Sequence, residues 1–211
     1  MTHIYLELFE KLLAAPYTHL EEETASYYTE RDGSTLRLFF EWSNGGTDWR
    51  NNLDFPAQPY RDMGDKWYAH RGFLRVWKAI EPHVADLIAD PTVKIIEVAG
   101  YSHGAAVALL CHEYVAFHRS DVLLFGVGYG CPRVVWGKLP KKVRRRFRHF
   151  TVIRNGRDMV THVPPWLLGY KHVGDMVDIG ESRGQIRDHF PDAYADALRE
   201  ITEEVQECGG I

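Results

Sequence analysis

Residues 93–114 constrain this chain more than any other stretch: an apolar run, VKIIEVAG, meets GYSHG and passes directly into AAVALLCHEYV. Apolar, partly β-branched residues of strand length, a turn flanked by glycines, and a run of small and apolar residues of helix length read as strand, sharp turn, helix. In that setting Gly-x-Ser-x-Gly is a nucleophile elbow, whose bend strains the backbone of Ser102 and lifts its hydroxyl above the edge of a sheet. Side chains at Gly100 or Gly104 would collide across so tight a turn, and Ala105 and Ala106 let the helix lie close on its own strand. Ser102 then stands at a helix N-terminus, where backbone N–H groups and the positive end of the dipole favour an oxyanion. The five-residue pattern alone is weak. The strand before it and the helix after it make Ser102 a candidate catalytic nucleophile rather than a structural turn.

A length of 211 residues suits a single domain, 1–211, and a chain of that size buries roughly 70% of its unfolded surface. Hydrophobic content of 45% and charged content of 26% are ordinary for a soluble protein, and no apolar run approaches the roughly 20 residues of a membrane helix. A net charge of −4 gives no global attraction to nucleic acid. The basic run KLPKKVRRRFRHF reads as the solvated face of a connecting helix, because Val143 and Phe147 are one turn apart and would pack inward. At most a peripheral membrane contact is expected. Cys111, Cys131 and Cys208 are odd in number and form no Cys-x-x-Cys pair, which argues against a disulfide framework or a zinc site and for a reducing cytosol. MTHIYLELFEKLLAAP carries Glu7, Glu10 and Lys11 where a signal peptide is uncharged, so it reads as an amphipathic helix with Ile4, Leu8 and Leu12 on one face. The expected location is cytoplasmic.

Residues 35–42, TLRLFFEW, pair with 27–29 through the hairpin signal Asp32-Gly33 and end in Ser43-Asn44-Gly45-Gly46. That loop lies at the carboxyl end of a strand, where open α/β sheets place ligands. One oxyanion donor of an elbow is the N–H of the residue after the nucleophile, here His103; Ser43 is the candidate for the second, with a loop serine bonded to its own turn as the alternative. Residues 48–65 follow as a loop placed to cover the site, and the polar character of 44–52 leads to an expectation of short, soluble substrates. His70, ahead of the elbow, reads as a cap or packing residue. Beyond the elbow helix, DVLLFGVG is a strand whose exit Gly130 and Pro132 shape, and HFTVIR is another, ending in Asn155-Gly156-Arg157-Asp158. In elbow hydrolases the acid follows the serine and the histidine follows the acid. Asp158 occupies the acid's place, its alternative being a turn former or a helix cap. The base is then His162, His172 or His189. His162 is four residues past Asp158 on the same tight segment, and His172 lies in YKHVGDMVDI, which reads as a strand. His189 stands on a loop before a helix whose Tyr194, Leu198, Ile201 and Val205 share a face, and is preferred.

Taken together these segments resemble the class 3 lipase family of fungal-lipase-like α/β hydrolases, from about Phe39 to Tyr194. FFEWS with DWRNNL is similar to the family's oxyanion strand, AHRGF to its His-Lys-Gly-Phe, GYSHG to its elbow and GCPRV to its Gly-x-Pro-Arg-Val. RDMVTHVPP is similar to its Asp-x-Val-Pro-x-Leu-Pro-Pro, which carries the acid onto Asp158, and GYKHVG to its Tyr-x-His-x-Gly. In the family that last histidine is not the base, which comes later, before a C-terminal helix; the resemblance therefore favours His189 over His172. It also places Ser43 at the oxyanion position. Glu41 and Trp42 stand where the family usually shows Arg and Gly, and His103 where Leu is commoner.

The sequence thus leads to an α/β-hydrolase fold, a mainly parallel central sheet with helices on both faces. Ser102, Asp158 and His189 would act on a carboxylic ester or lipid through an acyl-enzyme, and Ser43 and His103 would bind the oxyanion, without metal or cofactor. A thioesterase, amidase or acyltransferase with the same triad, or a non-catalytic binding module of the same fold, are the alternatives.

Overall fold

A computed structural model of the chain describes residues 2–21, 25–42, 56–60 and 65–208. Its centre is a seven-stranded sheet in the order β1-β2-β3-β6-β7-β9-β11. The strands are β1 (Thr18–His19), β2 (Ser26–Asp32), β3 (Thr35–Phe40), β6 (Ile95–Tyr101), β7 (Leu123–Tyr129), β9 (Phe150–Asn155) and β11 (Asp175–Ile179). β1, β2 and β3 are antiparallel, and from β3 through β6, β7 and β9 to β11 every pairing is parallel. The parallel register sets Phe40 against Gly100, Tyr101 against Tyr129 and Asn155 against Ile179. All these strands therefore finish at one edge, and the loops that leave them converge there.

A second sheet, β10-β8-β5-β4, lies beside the first. It consists of β4 (Ala57–Tyr60), β5 (Trp67–His70), β8 (Val135–Trp136) and β10 (Tyr170–Lys171). The stretch from Tyr170 to Ile179 supplies a strand to each sheet, and His172 falls between them rather than within a strand. Strands of two to four residues are too short to show an alternating pattern, which is why the sequence does not announce this sheet.

Helices cover both faces. α2 (Arg71–Ala89) and α3 (His103–His118) pack on one, where Phe40, Val98, Ala105, Leu109 and Trp77 share a core. α1 (Thr2–Ala14) and α5 (Pro191–Cys208) pack on the other, against Phe39, Ala99, Tyr101 and Tyr129. Adjacent residues such as Phe39 and Phe40 divide between the two cores, as the strand period of two requires. α3 is apolar on all sides and almost wholly buried, the state expected of a helix without a polar face. In α1 the buried seam runs through Phe9 and Leu12, while Ile4 is exposed. The larger aromatic surface of Phe9, packed against the Tyr129 ring at 4.6 Å, rotates the helix away from the expected Ile4 face. In α4 (Lys141–Arg146), Val143 and the following Phe147 point inward, and Lys141, Lys142, Arg144 and Arg145 face solvent. Arg146 turns back to bond Glu113 and Asp65, each at 2.7 Å.

The buried titratable groups oppose one another in acid. Burial pushes the His112 and His172 rings down to about 4, although each donates to a backbone carbonyl, of Arg148 and Thr161 respectively. Below their ordinary value of 6.5 the unfolded chain binds protons that these rings refuse. Their contribution is present above that value and is lost as pH falls toward 4. Burial pushes Glu113 up to about 7 despite its bond to Arg146, from an ordinary 4.5. Its contribution is full below 4.5 and is lost as pH rises through 7. Where the windows overlap, two losses against one gain leave roughly one proton, or about 1.4 kcal/mol of lost stability per pH unit of acidification. Glu113→Gln removes the opposing group, so its urea midpoint should fall more steeply than the parent's between pH 6.5 and 4.5. Parallel midpoints would show that Glu113 takes up no proton in the fold.

Candidate active site

Ser102 links the end of β6 to the start of α3 with φ 55° and ψ −121°, in the left-handed region that a side chain rarely occupies. The bend is held by a bond from Ser102 N–H to the carbonyl of Tyr129 at 2.8 Å. A Cβ on Gly100 would lie 2.1 Å from the Gly104 carbonyl oxygen, and one on Gly104 would lie 2.2 Å from that of Phe40. Both glycines are thus demanded by backbone-to-backbone contact. The strand behind Ser102, the helix ahead of it and the end of β3 all meet there.

The imidazole of His189 stands between Ser102 and Asp158. Ser102 Oγ is 2.9 Å from Nε2, and Nδ1 is 2.8 Å from Asp158 Oδ2. A carboxylate only accepts, so Nδ1 carries the proton and Nε2 is left to accept from the serine hydroxyl. Asp158 is fully buried just after β9. Its Oδ1 accepts from Val160 N–H at 2.8 Å and caps the short 3₁₀ turn Met159–His162. Its Oδ2 also accepts from the Tyr194 hydroxyl at 2.6 Å, which in turn accepts from Asn155 N–H at 3.1 Å. The cap and the imidazole partner are therefore one residue using two oxygens.

His189 does not sit on a free loop, as the sequence suggested. It ends a 3₁₀ turn, Arg187–His189, which the buried Asp188 fastens in place. The Asp188 carboxylate accepts from the N–H groups of Arg157 and Arg183 and from the Ser182 hydroxyl, at 2.7 to 2.8 Å. Burial alone would raise this carboxyl, but those donors outweigh it and hold it below the ordinary carboxylate value. Asn155 Nδ2 adds a bond to the Asp188 carbonyl at 3.1 Å.

The other histidines lie apart from this chain of bonds. His172 donates to the carbonyl of Thr161 at 2.7 Å, His162 is exposed on the turn after Asp158, and His70 caps α2 by accepting from Phe73 N–H. His103 is the first residue of α3, buried and edge-on to Phe73 at 5.3 Å. Ser43 lies outside the described residues. A cleft of about 320 Å³ opens over Ser102 and His189, with Trp42, Phe73, Val163 and Phe190 among its walls. Among the described residues no group of His, Cys, Asp and Glu is arranged to hold a metal ion.

Residues 38–168 match the family described as Lipase (class 3). The chain belongs to this family. A secreted mono- and diacylglycerol lipase 1 of Fusarium solani is 30% identical over 131 residues, 59% of this chain and 38% of that protein. The solved lipase of Rhizomucor miehei, in complex with its propeptide, superposes with a TM-score of 0.65 at 26% identity, over 77% of this chain and 55% of that one. A triacylglycerol lipase described as having a serine protease triad at its catalytic centre superposes at 0.62 and 24% identity, over 77% of this chain and 63% of its own, and speaks for the fold. The chain spans about two-fifths of the length of the curated relatives it matches.

The class 3 relatives overturn the cytoplasmic expectation, since the Fusarium solani protein is a secreted one. The cysteines misled because Cys111 and Cys131 are buried, and burial pushes their thiols well up from the ordinary value. A thiol so shielded persists in an oxidising compartment as readily as in a reducing one, so its lack of a partner reports packing and not location.

Tyr101, Gly130, Asp188 and Tyr194 are parts of the site that the sequence did not assign to it. Gly130 has φ +58°, and a Cβ there would come within 2.9 Å of Asp158 Oδ2 and 3.1 Å of His189 Cε1. Gly130→Ala should displace that pair and strain the backbone, costing about 1 to 2 kcal/mol in denaturant unfolding and on the order of 10² in turnover. Full turnover in the folded variant would show that the pair tolerates the methyl group.

Proposed function

We propose that the chain is a serine ester hydrolase whose single α/β-hydrolase domain uses Ser102, His189 and Asp158 as a triad. The observation that carries this reading is the unbroken chain of bonds from Ser102 Oγ through the imidazole to the buried Asp158, at 2.9 and 2.8 Å. His189 Nε2 takes the serine proton as Oγ attacks an ester carbonyl, and Asp158 holds the tautomer and stabilises the imidazolium. The same proton then passes to the leaving alcohol. Water, deprotonated by His189, attacks the acyl-enzyme and releases the acid. The developing oxyanion is bound by the N–H of His103 at the start of α3, with Ser43 as the second donor.

The walls of the cleft favour an apolar acyl group. Val160, Val163 and Pro164 line it, and the chain runs on from them into Trp166–Leu168, whose Trp166 and Leu167 are 68% and 76% exposed. Met159, Ile186 and Phe190 add exposed apolar surface beside His189 and Asp158. The expectation of short soluble substrates rested on residues 44–52, outside the described residues. The described rim favours longer acyl chains, in keeping with the acylglycerols named for the relative from Fusarium solani.

A fluorophosphonate probe should label Ser102 in the parent protein. Ser102→Ala and His189→Ala should each lose on the order of 10⁴ to 10⁶ in ester turnover, whereas His172→Ala should lose stability and keep its activity per folded molecule. An active, folded His189→Ala would transfer the role of base elsewhere. In a series of nitrophenyl esters, kcat/KM should rise from butyrate to laurate, and Trp166→Ala should weaken turnover of emulsified long-chain ester while leaving the butyrate rate unchanged. A preference for acetate over laurate would sink the acyl assignment.

A further inference from the structure

The residue before the nucleophile is a variable position of the elbow pattern, and here it is Tyr101. Its ring lies nearly parallel to the His189 imidazole, centroids 5.2 Å apart with an interplanar angle of 21°. Its hydroxyl donates to the backbone carbonyl of His189. The same side chain therefore touches the imidazole from its face and the main chain from its end.

Tyr101 is itself held on three sides. Phe9 of α1 meets it edge-on at 5.8 Å, Trp42 after β3 at 6.0 Å, and Tyr194 of α5 at 5.8 Å. It is buried to 2% exposure. Burial raises its phenol from the ordinary value, with the Asp158 and Asp192 charges acting in the same direction, so the hydroxyl stays a donor. Because Tyr101 is peptide-bonded to Ser102, a displacement of the imidazole relative to the nucleophile must break its contacts with Tyr101.

From this arrangement we infer that Tyr101 is a positioning residue for the triad: its hydroxyl sets the height of the His189 turn, and its ring carries the imidazolium that forms as Ser102 attacks. The inference rests on the triad reading above. An aromatic face within about 6 Å of a cation attracts it through the ring quadrupole, and more so away from water. Asp158 is the charged group on His189 Nδ1, and Asp192 of α5, whose charge acts on the Tyr101 phenol, is itself paired with Arg187 at 2.6 Å. Asp188, next in the chain, is turned into the donors of residues 157, 182 and 183. None of these supplies a π face to the imidazole. Tyr194, the other hydroxyl nearby, acts on the carboxylate instead.

The test uses the full chain, with nitrophenyl butyrate turnover followed from acid to neutral pH. Tyr101→Phe keeps the stack and loses the hydroxyl, so kcat should fall about 3- to 10-fold with KM unchanged, the scale of one lost positioning bond. Placing pentafluorophenylalanine at 101 keeps the shape of Phe and reverses the charge of the ring face. Relative to Tyr101→Phe, its acid limb should move to lower pH by about 0.4 to 1.5 units and its plateau rate should fall about 2- to 30-fold. The imidazole then loses its proton more readily but the charged form is less well supported in the transition state. Coincident profiles for the two aromatic variants, with parental kcat in Tyr101→Phe, overturn the inference. Failure of the triad reading is separate, because the parent protein itself would then neither turn over the ester nor accept a fluorophosphonate on Ser102.

Discussion

Backbone packs directly on backbone where β3, β6 and α3 meet around Gly100 and Gly104. No Cβ fits at either glycine, so the strand can reverse into a helix within one residue and leave Ser102 at the apex. Everything else in the site is placed relative to that apex. The parallel register brings β7 and β9 to the same edge, so Gly130 and Asp158 leave their strands beside the serine and not across the molecule from it. Had the sheet been antiparallel there, alternate loops would have faced away.

The side chains around Ser102 also do ordinary structural work. Asp158 caps a turn with one oxygen and faces the imidazole with the other. Asp188 resembles a loop-forming aspartate, and its carboxylate gathers the 182–188 segment under His189. Such sharing means that the alternatives weighed for Asp158 in the sequence, acid against turn former or helix cap, are not exclusive. A buried carboxylate is costly unless every lone pair finds a donor, and meeting that demand is what fixes its direction.

How far the site was legible follows from the nature of each signal. Gly-x-Ser-x-Gly is written in residue types that only a sharp bend requires, so the elbow could be read directly. Asp158 and His189 were reachable through their order along the chain and their places after a strand and before a helix. Asp188 was hidden because two of its partners are backbone N–H groups, which every residue but proline possesses and no pattern records. Tyr194 was visible only as one apolar position on a helical face, since periodicity tells which side a residue points to and not what its hydroxyl meets. The second sheet escaped because pairing over two to four residues leaves no period, and Ile4 was misassigned because a small shift of the helical stripe favours the larger ring of Phe9.

The aromatic cluster of Phe9, Tyr101, Tyr129 and Tyr194 joins the first helix to the last across the face of the sheet. Arg199 of α5 reaches Glu10 of α1 at 3.1 Å to close the same seam. These contacts span nearly the whole chain, so they are formed against a large loop-closure entropy and carry a high contact order. His189 is two residues from the start of that last helix, while Ser102 is built into the middle of the sheet. An opening of the α1–α5 seam that carried the start of α5 outward would have to break the Tyr101–His189 contacts, so the pairing of the first helix with the last is coupled to the distance between His189 and Ser102.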